Sequence, residues 1–214
     1  MRAVGQLAQG DFFGELALRN GAPRTASVMA LEQTAVLELS REGLDKSGAR
    51  HGLGDTLVRM VCQERLLADA LRSSTLLATL PPELGVQLGS ALVPHVARQG
   101  EVLLTHGQQG DALYVLLRGR CAVFHPHGDG DTTRFPDLEE GAVFGEVSLL
   151  RSRLATATVR AETPCTLLRL ERDVFVKYFR SQPALRRALV KLGLERLRRT
   201  SRLVEDARSE VWSY

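Results

Sequence analysis

The sequence predicts a mainly β protein with flanking helices, an antiparallel and jelly-roll-like β-roll present as one complete and one partial copy. Three observations carry this. A gap-free internal repeat recurs at an offset of 131 residues, short β-rich runs alternate with glycine and aspartate turn signals, and helical stripes bracket the strands. Composition agrees: 214 residues, 44% hydrophobic and 25% charged, is the mix of a soluble globular chain and excludes a disordered, collagenous or disulfide-dense one.

The repeat comes first because it sets the architecture. Gly10-Asp-Phe-Phe-Gly-Glu-Leu-Ala-Leu through Arg41 aligns on Gly141-Ala-Val-Phe-Gly-Glu-Val-Ser-Leu through Arg172. One shift pairs Phe13 with Phe144, Gly14 with Gly145, Glu15 with Glu146, Thr25 with Thr156, Val28 with Val159 and Leu39 with Leu170. A period this long is no solenoid unit, so two related domains are expected. If the second begins near Thr75, 71 residues precede Glu146 against 14 before Glu15, and the first copy is expected to be truncated at its N-terminal side. The resulting organisation is 1–50 for the C-terminal half of a first domain, 51–74 for a connecting helix, 75–182 for a complete second β-roll, and 183–214 for a C-terminal helix and tail.

In the complete copy, Val102-Leu-Leu precedes a turn at Gly107 to Gly110, Ala112-Leu-Tyr-Val-Leu-Leu precedes Arg118-Gly119, and Cys121-Ala-Val-Phe precedes a Gly/Asp loop. Ala157-Thr-Val-Arg and Thr166-Leu-Leu-Arg-Leu alternate as half-buried strands do. Upstream, Leu57, Met60, Val61, Leu66, Leu67 and Leu71 form the stripe of a connecting helix. Downstream, Asp173 is placed to cap a short helix through Phe179, and Pro183 to begin another with Leu185, Leu189 and Leu192 on one stripe.

Other classes fall away. The most apolar region, Leu76 to Val96, is interrupted by Pro81, Pro82, Glu83 and Pro94, which no membrane span tolerates. The N-terminus has no signal-peptide pattern, and Cys62, Cys121 and Cys165 are widely spaced with no C-x-x-C, so a cytoplasmic, reducing location is expected. His125-Pro-His-Gly-Asp-Gly-Asp131 reads as a loop between strands rather than a metal site, and His51, His95 and His106 are isolated. No catalytic arrangement is expected, and no cofactor or metal.

The repeated segment carries the functional reading. Phe13-Gly-Glu-Leu-Ala-Leu-Arg-Asn-Gly-Ala-Pro-Arg-Thr-Ala-Ser-Val28 resembles the phosphate-binding cassette of cyclic-nucleotide-binding domains, the β-roll modules of cAMP-dependent kinase regulatory subunits, gated channels and Crp-type regulators. Gln99 to Gly119 resembles the glycine-punctuated strands of the same family. The resemblance implies a ligand, cAMP or cGMP. Such a ligand needs backbone N–H groups and an arginine for its cyclic phosphate, and a carboxylate to accept from its ribose 2′-hydroxyl. It implies Gly14, Glu15, Leu16, Ala17, Arg24 and Thr25 as the first site. The threonine after the arginine resembles cGMP-responsive members more than the kinase-regulatory pattern. The second cassette supplies Gly145, Glu146, Val147, Ser148 and Thr156, but departs from the family at Ala155, which stands opposite Arg24. That puts a weak or altered second site in prospect.

The net charge of +3 is concentrated: Arg180 to Arg208 carries nine basic residues against three acidic, leaving a slightly acidic body. By resemblance this helix is a lid or relay, with Leu192, Leu194 and Leu197 closing over the pocket, and it offers a surface for a protein effector or homodimer. DNA binding is not expected. The expectation is a non-catalytic cyclic-nucleotide sensor. The alternatives are a ligand-free β-roll serving as an interaction module, and a fragment of a Crp-like transcription regulator without its helix-turn-helix.

Overall fold

In the second copy, residues with alternating burial build two sheets face to face. The computed structural model describes residues 6–14, 27–40, 42–43, 65–78, 87–88, 91–127, 130–150 and 154–211. The chain divides into two compact units, Met1–Cys62 and Gln63–Tyr214.

In the second unit the strands are β1 (Val93–Ala97), β2 (Val102–Leu104), β3 (Ala112–Arg118), β4 (Cys121–Pro126), β5 (Thr132–Leu138), β6 (Val143–Phe144), β7 (Thr158–Ala161) and β8 (Cys165–Glu171). They form two antiparallel four-stranded sheets, ordered β1-β8-β3-β6 and β2-β7-β4-β5. Consecutive strands mostly fall in different sheets, so the chain winds as a roll.

The inter-sheet core follows from the two-residue period. Ala112, Tyr114 and Leu116 of β3 and Cys165 and Leu167 of β8 meet Leu104, Cys121, Val159 and Ala161 from the opposing sheet. The intervening Leu113, Val115, Leu117, Leu168 and Leu170 are also buried. Both faces of that sheet are therefore covered, which is why β3 reads as an unbroken apolar run.

Helices supply the cover: α1 (65–73), α2 (Thr75–Ala78), α3 (Glu146–Leu150), α4 (Arg172–Ser181) and α5 (Pro183–Val211). The expected connecting stripe is helical where described, with Leu66 and Ala70 buried one turn apart, and it restarts at Ser74, whose Oγ accepts from the Leu77 amide at 3.4 Å. Its upstream part, residues 53–64, lies outside the described residues. Helix α4 packs on β3 and β8 through buried Phe175. It begins two residues earlier than Asp173 capping predicts, with Glu171 at the cap position; the Arg172 amide donates to Asp111 O at 2.8 Å and its guanidinium to Gly110 O at 2.6 and 3.0 Å. Asp173 instead sits in the first turn, where a negative charge suits the helix dipole. Gln182 is extended, and Pro183 opens α5 as expected. Leu185 and Leu189 bury the root of α5.

Three strands are absent from the sequence reading: β1, β5 and the two-residue β6. Both β1 and β5 contain a proline, Pro94 and Pro136, and both lie at the edge of their sheet, where a missing N–H removes no internal ladder bond. The two cysteines that sequence distance separated also meet: the Cys121 and Cys165 sulfurs are 3.7 Å apart, buried where β4 and β8 begin.

In the first unit, the described residues include no strand, and Phe12, Met29, Leu31, Val36 and Leu37 are exposed. One correspondence is retained in the backbone. Gly10 and Gly14 have φ of +90° and +87°, and their repeat partners Gly141 and Gly145 have +88° and +93°. These left-handed positions are where a side chain is costly.

Candidate functional site

The second cassette begins where β6 turns into α3. Gly145 makes the turn, with no room for a side chain: a Cβ there lies 2.5 Å from the Ala112 carbonyl oxygen. Ser148 Oγ donates to Gly145 O at 2.9 Å, which tightens the turn. Phe144, just before it, stacks on Tyr114 with ring centres 5.1 Å apart and planes 13° from parallel.

Glu146 is the decisive side chain, only 1% exposed although it is a carboxylate. Arg196 of α5 reaches it, one Nη1 donating to both carboxylate oxygens at 2.9 and 2.8 Å. Burial pushes the Glu146 carboxyl above the ordinary carboxylate range, and the Arg196 charge, with hydrogen bonds from a backbone N–H and from that guanidinium, pulls it partly back. The approach of α5 is permitted by Gly193, whose missing side chain leaves the helix 3.3 Å, measured from a hypothetical Cβ, from Leu150 Cδ1 of α3.

Ala155 is buried, 6% exposed, its amide donating to Gln108 O at 2.7 Å and its carbonyl accepting from Gly107 N at 2.9 Å. Next to it, the Thr156 carbonyl accepts from His125 Nδ1 at 2.9 Å, which fixes the proton on that nitrogen. His106 stands edge-on to His125 at 4.8 Å, and burial followed by the His125 charge lowers its pKa. His127 Nε2 pairs with Thr133 Oγ1 at 2.8 Å. Among the described residues no three such side chains are placed to hold a metal ion.

These elements line a half-open cavity of about 140 Å³. Its walls are apolar, from Leu104, Val123, Phe135, Phe144 and Val159. Its mouth is polar: the turn Gly145 to Ser148, Ala155 and Thr156 from the cassette, and Arg196 and Arg199 from α5. Every expected residue of the second cassette thus lines one cavity. Of the residues expected in the first site only Gly14 is described; Glu15, Leu16, Ala17, Arg24 and Thr25 lie outside the described residues, as do Arg151 and Arg153 of the second cassette.

The C-terminal helix contributes to the cavity lining, but not with the leucines expected. Leu194 is 39% exposed, and the cavity is lined from α5 by Arg196 and Arg199 rather than by Leu192, Leu194 or Leu197. Apolar spacing is visible in sequence; which of several arginines faces inward is decided by the angle at which Gly193 lets the helix cross.

A family model for the cyclic nucleotide-binding domain matches residues 2–51 and 94–182. The chain belongs to the cyclic nucleotide-binding domain family. The two matched segments contain the two copies of the repeated cassette. Among curated relatives, the chain is similar to the cAMP-dependent protein kinase regulatory subunits of Emericella nidulans, 30% identical over 172 residues, and of Yarrowia lipolytica, 31% over 173. It aligns over 80% of its own length and spans about two fifths of theirs, 39% and 43%. Among solved structures it resembles the catabolite activator protein of Thermus thermophilus, with a TM-score of 0.56 and 30% identity over 64% of this chain and 63% of that one. A cAMP-bound PfPKA-R fragment shares the fold over 94% of this chain and 64% of its own, with a TM-score of 0.56 and 20% identity. No helix among the described residues is long and apolar enough to cross a membrane.

Proposed function

We propose that this chain is a non-catalytic regulatory module that binds a 3′,5′-cyclic nucleotide, cAMP or cGMP, between its second cassette and α5, and relays occupancy through α5 to a protein effector or a second copy in the cytoplasm. The observation that carries this reading is the Glu146–Arg196 pair across the cavity mouth. A buried carboxylate next to a tight glycine turn is the acceptor a ribose 2′-hydroxyl requires, and in this structure a lid residue occupies it.

The size of the cavity gives the relay. At about 140 Å³ it is smaller than the ~300 Å³ at which small-molecule sites begin. In this reading a nucleotide enters as α5 swings outward, which frees Glu146 from Arg196. The ligand and the closed helix therefore compete for one carboxylate, and ligand shifts α5 by its difference in affinity for the two positions. The names of the curated relatives, regulatory subunits of a cAMP-dependent kinase, support a regulatory role.

Calorimetric titration of the full chain with cAMP and with cGMP tests the proposal. Heat and a rise in melting temperature are expected, and their absence at millimolar ligand overturns it. Comparing Arg24→Ala with Glu146→Ala assigns the heat to one cassette. Ala155 favours a second reading, a ligand-free interaction module, and that same absence of heat supports it.

A further inference from the structure

The charges around the cavity do not balance. Among the described residues that line it, Glu146 brings one negative charge and Arg196 and Arg199 bring two positive ones. Glu146 and Arg196 are matched to each other at 2.8 Å. No described carboxylate pairs with Arg199, so one guanidinium at the cavity mouth is surplus.

That surplus comes from a particular direction. Gly193, Arg196 and Arg199 are spaced three apart and follow one inclined row on the surface of α5. Gly193 brings the row down on α3, Arg196 touches the carboxylate, and Arg199 is the next position along the mouth. In the cassette, the position that aligns with Arg24 carries only the methyl group of Ala155, which also lines the cavity.

We propose that the cation that holds the ligand's phosphate in this site is carried by the lid helix and not by the cassette: Arg199, with Arg196 once it leaves Glu146, binds the cyclic phosphodiester. This rests on the reading of the site as a cyclic-nucleotide site. The phosphodiester bears one negative charge at neutral pH, which cancels the surplus, and a guanidinium offers paired N–H donors to its two free oxygens. The ligand then bridges two elements, its ribose on Glu146 of α3 and its phosphate on α5. Bound ligand fixes α5 in a second position rather than merely releasing it.

The test uses the full chain carrying Arg24→Ala, so that titration heat reports the second cassette. Cyclic nucleotide and the corresponding nucleoside, which lacks the phosphate, are titrated into this parent and into the same chain with Arg199→Ala. The proposal expects Arg199→Ala to weaken cyclic-nucleotide binding about 30- to 1,000-fold, the cost of losing a charge-assisted contact that the bound ligand covers. It expects nucleoside binding to stay within about threefold, and Ala155→Arg added to Arg199→Ala to restore cyclic-nucleotide affinity. Arg199 is exposed, so circular dichroism and melting should show all variants folded. Equal affinity of parent and Arg199→Ala overturns the proposal, as does finding the loss in Arg151→Ala or Arg153→Ala instead. A parent that binds neither cAMP nor cGMP overturns the reading of the site itself, and with it this assignment.

Discussion

Arg196 on the last helix and Glu146 on the cassette helix, fifty residues apart in sequence, share a hydrogen-bonded ion pair in which one guanidinium nitrogen serves both carboxylate oxygens at 2.9 and 2.8 Å. The carboxylate is buried and the guanidinium 29% exposed, so the pair is asymmetric: removing the arginine strands a charge, whereas removing the acid returns a charge to water.

Stability should depend on pH through Glu146 in a direction opposite to that of an ordinary paired carboxylate. Its folded pKa lies above the ordinary value of 4.5, so in the window just above 4.5 the folded chain holds the proton more tightly than the unfolded chain. This contribution to stability therefore falls as pH rises through that window. Glu146→Gln is expected to flatten the fall. Arg196→Ala should steepen it and cost about 3 kcal/mol at neutral pH, or roughly 6–12 °C in melting temperature, with less loss near pH 4.5. Thermal melts of the three proteins across this range check it; parallel profiles would refute it.

Gly193 should behave as a spacer and not as a weak point in the helix. Replacing a helical glycine with alanine ordinarily gains about 1 kcal/mol. Here the new methyl meets Leu150 Cδ1 at 3.3 Å, so Gly193→Ala is expected to gain little or nothing. Gly193→Leu is expected to lose about 1–3 kcal/mol and to undock α5, since overpacking a contact costs that much. Chemical denaturation, with amide exchange on α5 as the local readout, separates the two. A full alanine gain at this position would show that the helices are not in contact.

Gly145 should tolerate nothing larger. Its φ of +93° is strained for any side chain, and a Cβ lies 2.5 Å from a backbone oxygen that has no room to yield. Gly145→Ala is expected to cost at least about 1–3 kcal/mol and to displace Glu146, which follows directly in sequence. The paired substitution Gly14→Ala in the first cassette provides the comparison. Melts of both, with cyclic-nucleotide titration of the Gly145 variant, test whether the turn holds the carboxylate.

Much of the second β-roll was legible because its signals are local. Leu113 to Leu117 announces a strand buried on both sides, Gly107, Gly110 and Gly119 punctuate it, and Pro183 opens the last helix. What escaped depends on partners. Pro94 and Pro136 mark turns when neighbours in sequence are all that is known, and become acceptable in strands only once those strands are seen at sheet edges. Cys121 and Cys165 are far apart along the chain and adjacent through the crossing of β4 and β8. The cassette side of the site was readable from Gly145, Glu146 and Ala155, because a turn and its flanking residues are contiguous. The helix side was not: a row of nine basic residues looks like a solvated face until the crossing of α5 singles out Arg196 and Arg199.

The first and last strands of the roll lie side by side, β1 ending at Ala97 and β8 beginning only at Cys165. Strand β8 is also the partner of β3, so one sheet has no centre until β8 exists. During synthesis, therefore, β1 emerges with nothing to pair with and β3 has only the two-residue β6, so the sheet closes late. That long loop must be closed before any of its contacts are gained, which makes folding slow and cooperative. The cassette sits inside the loop, between β6 and β7, so the binding turn acquires its shape only when the strand just before the lid helices arrives.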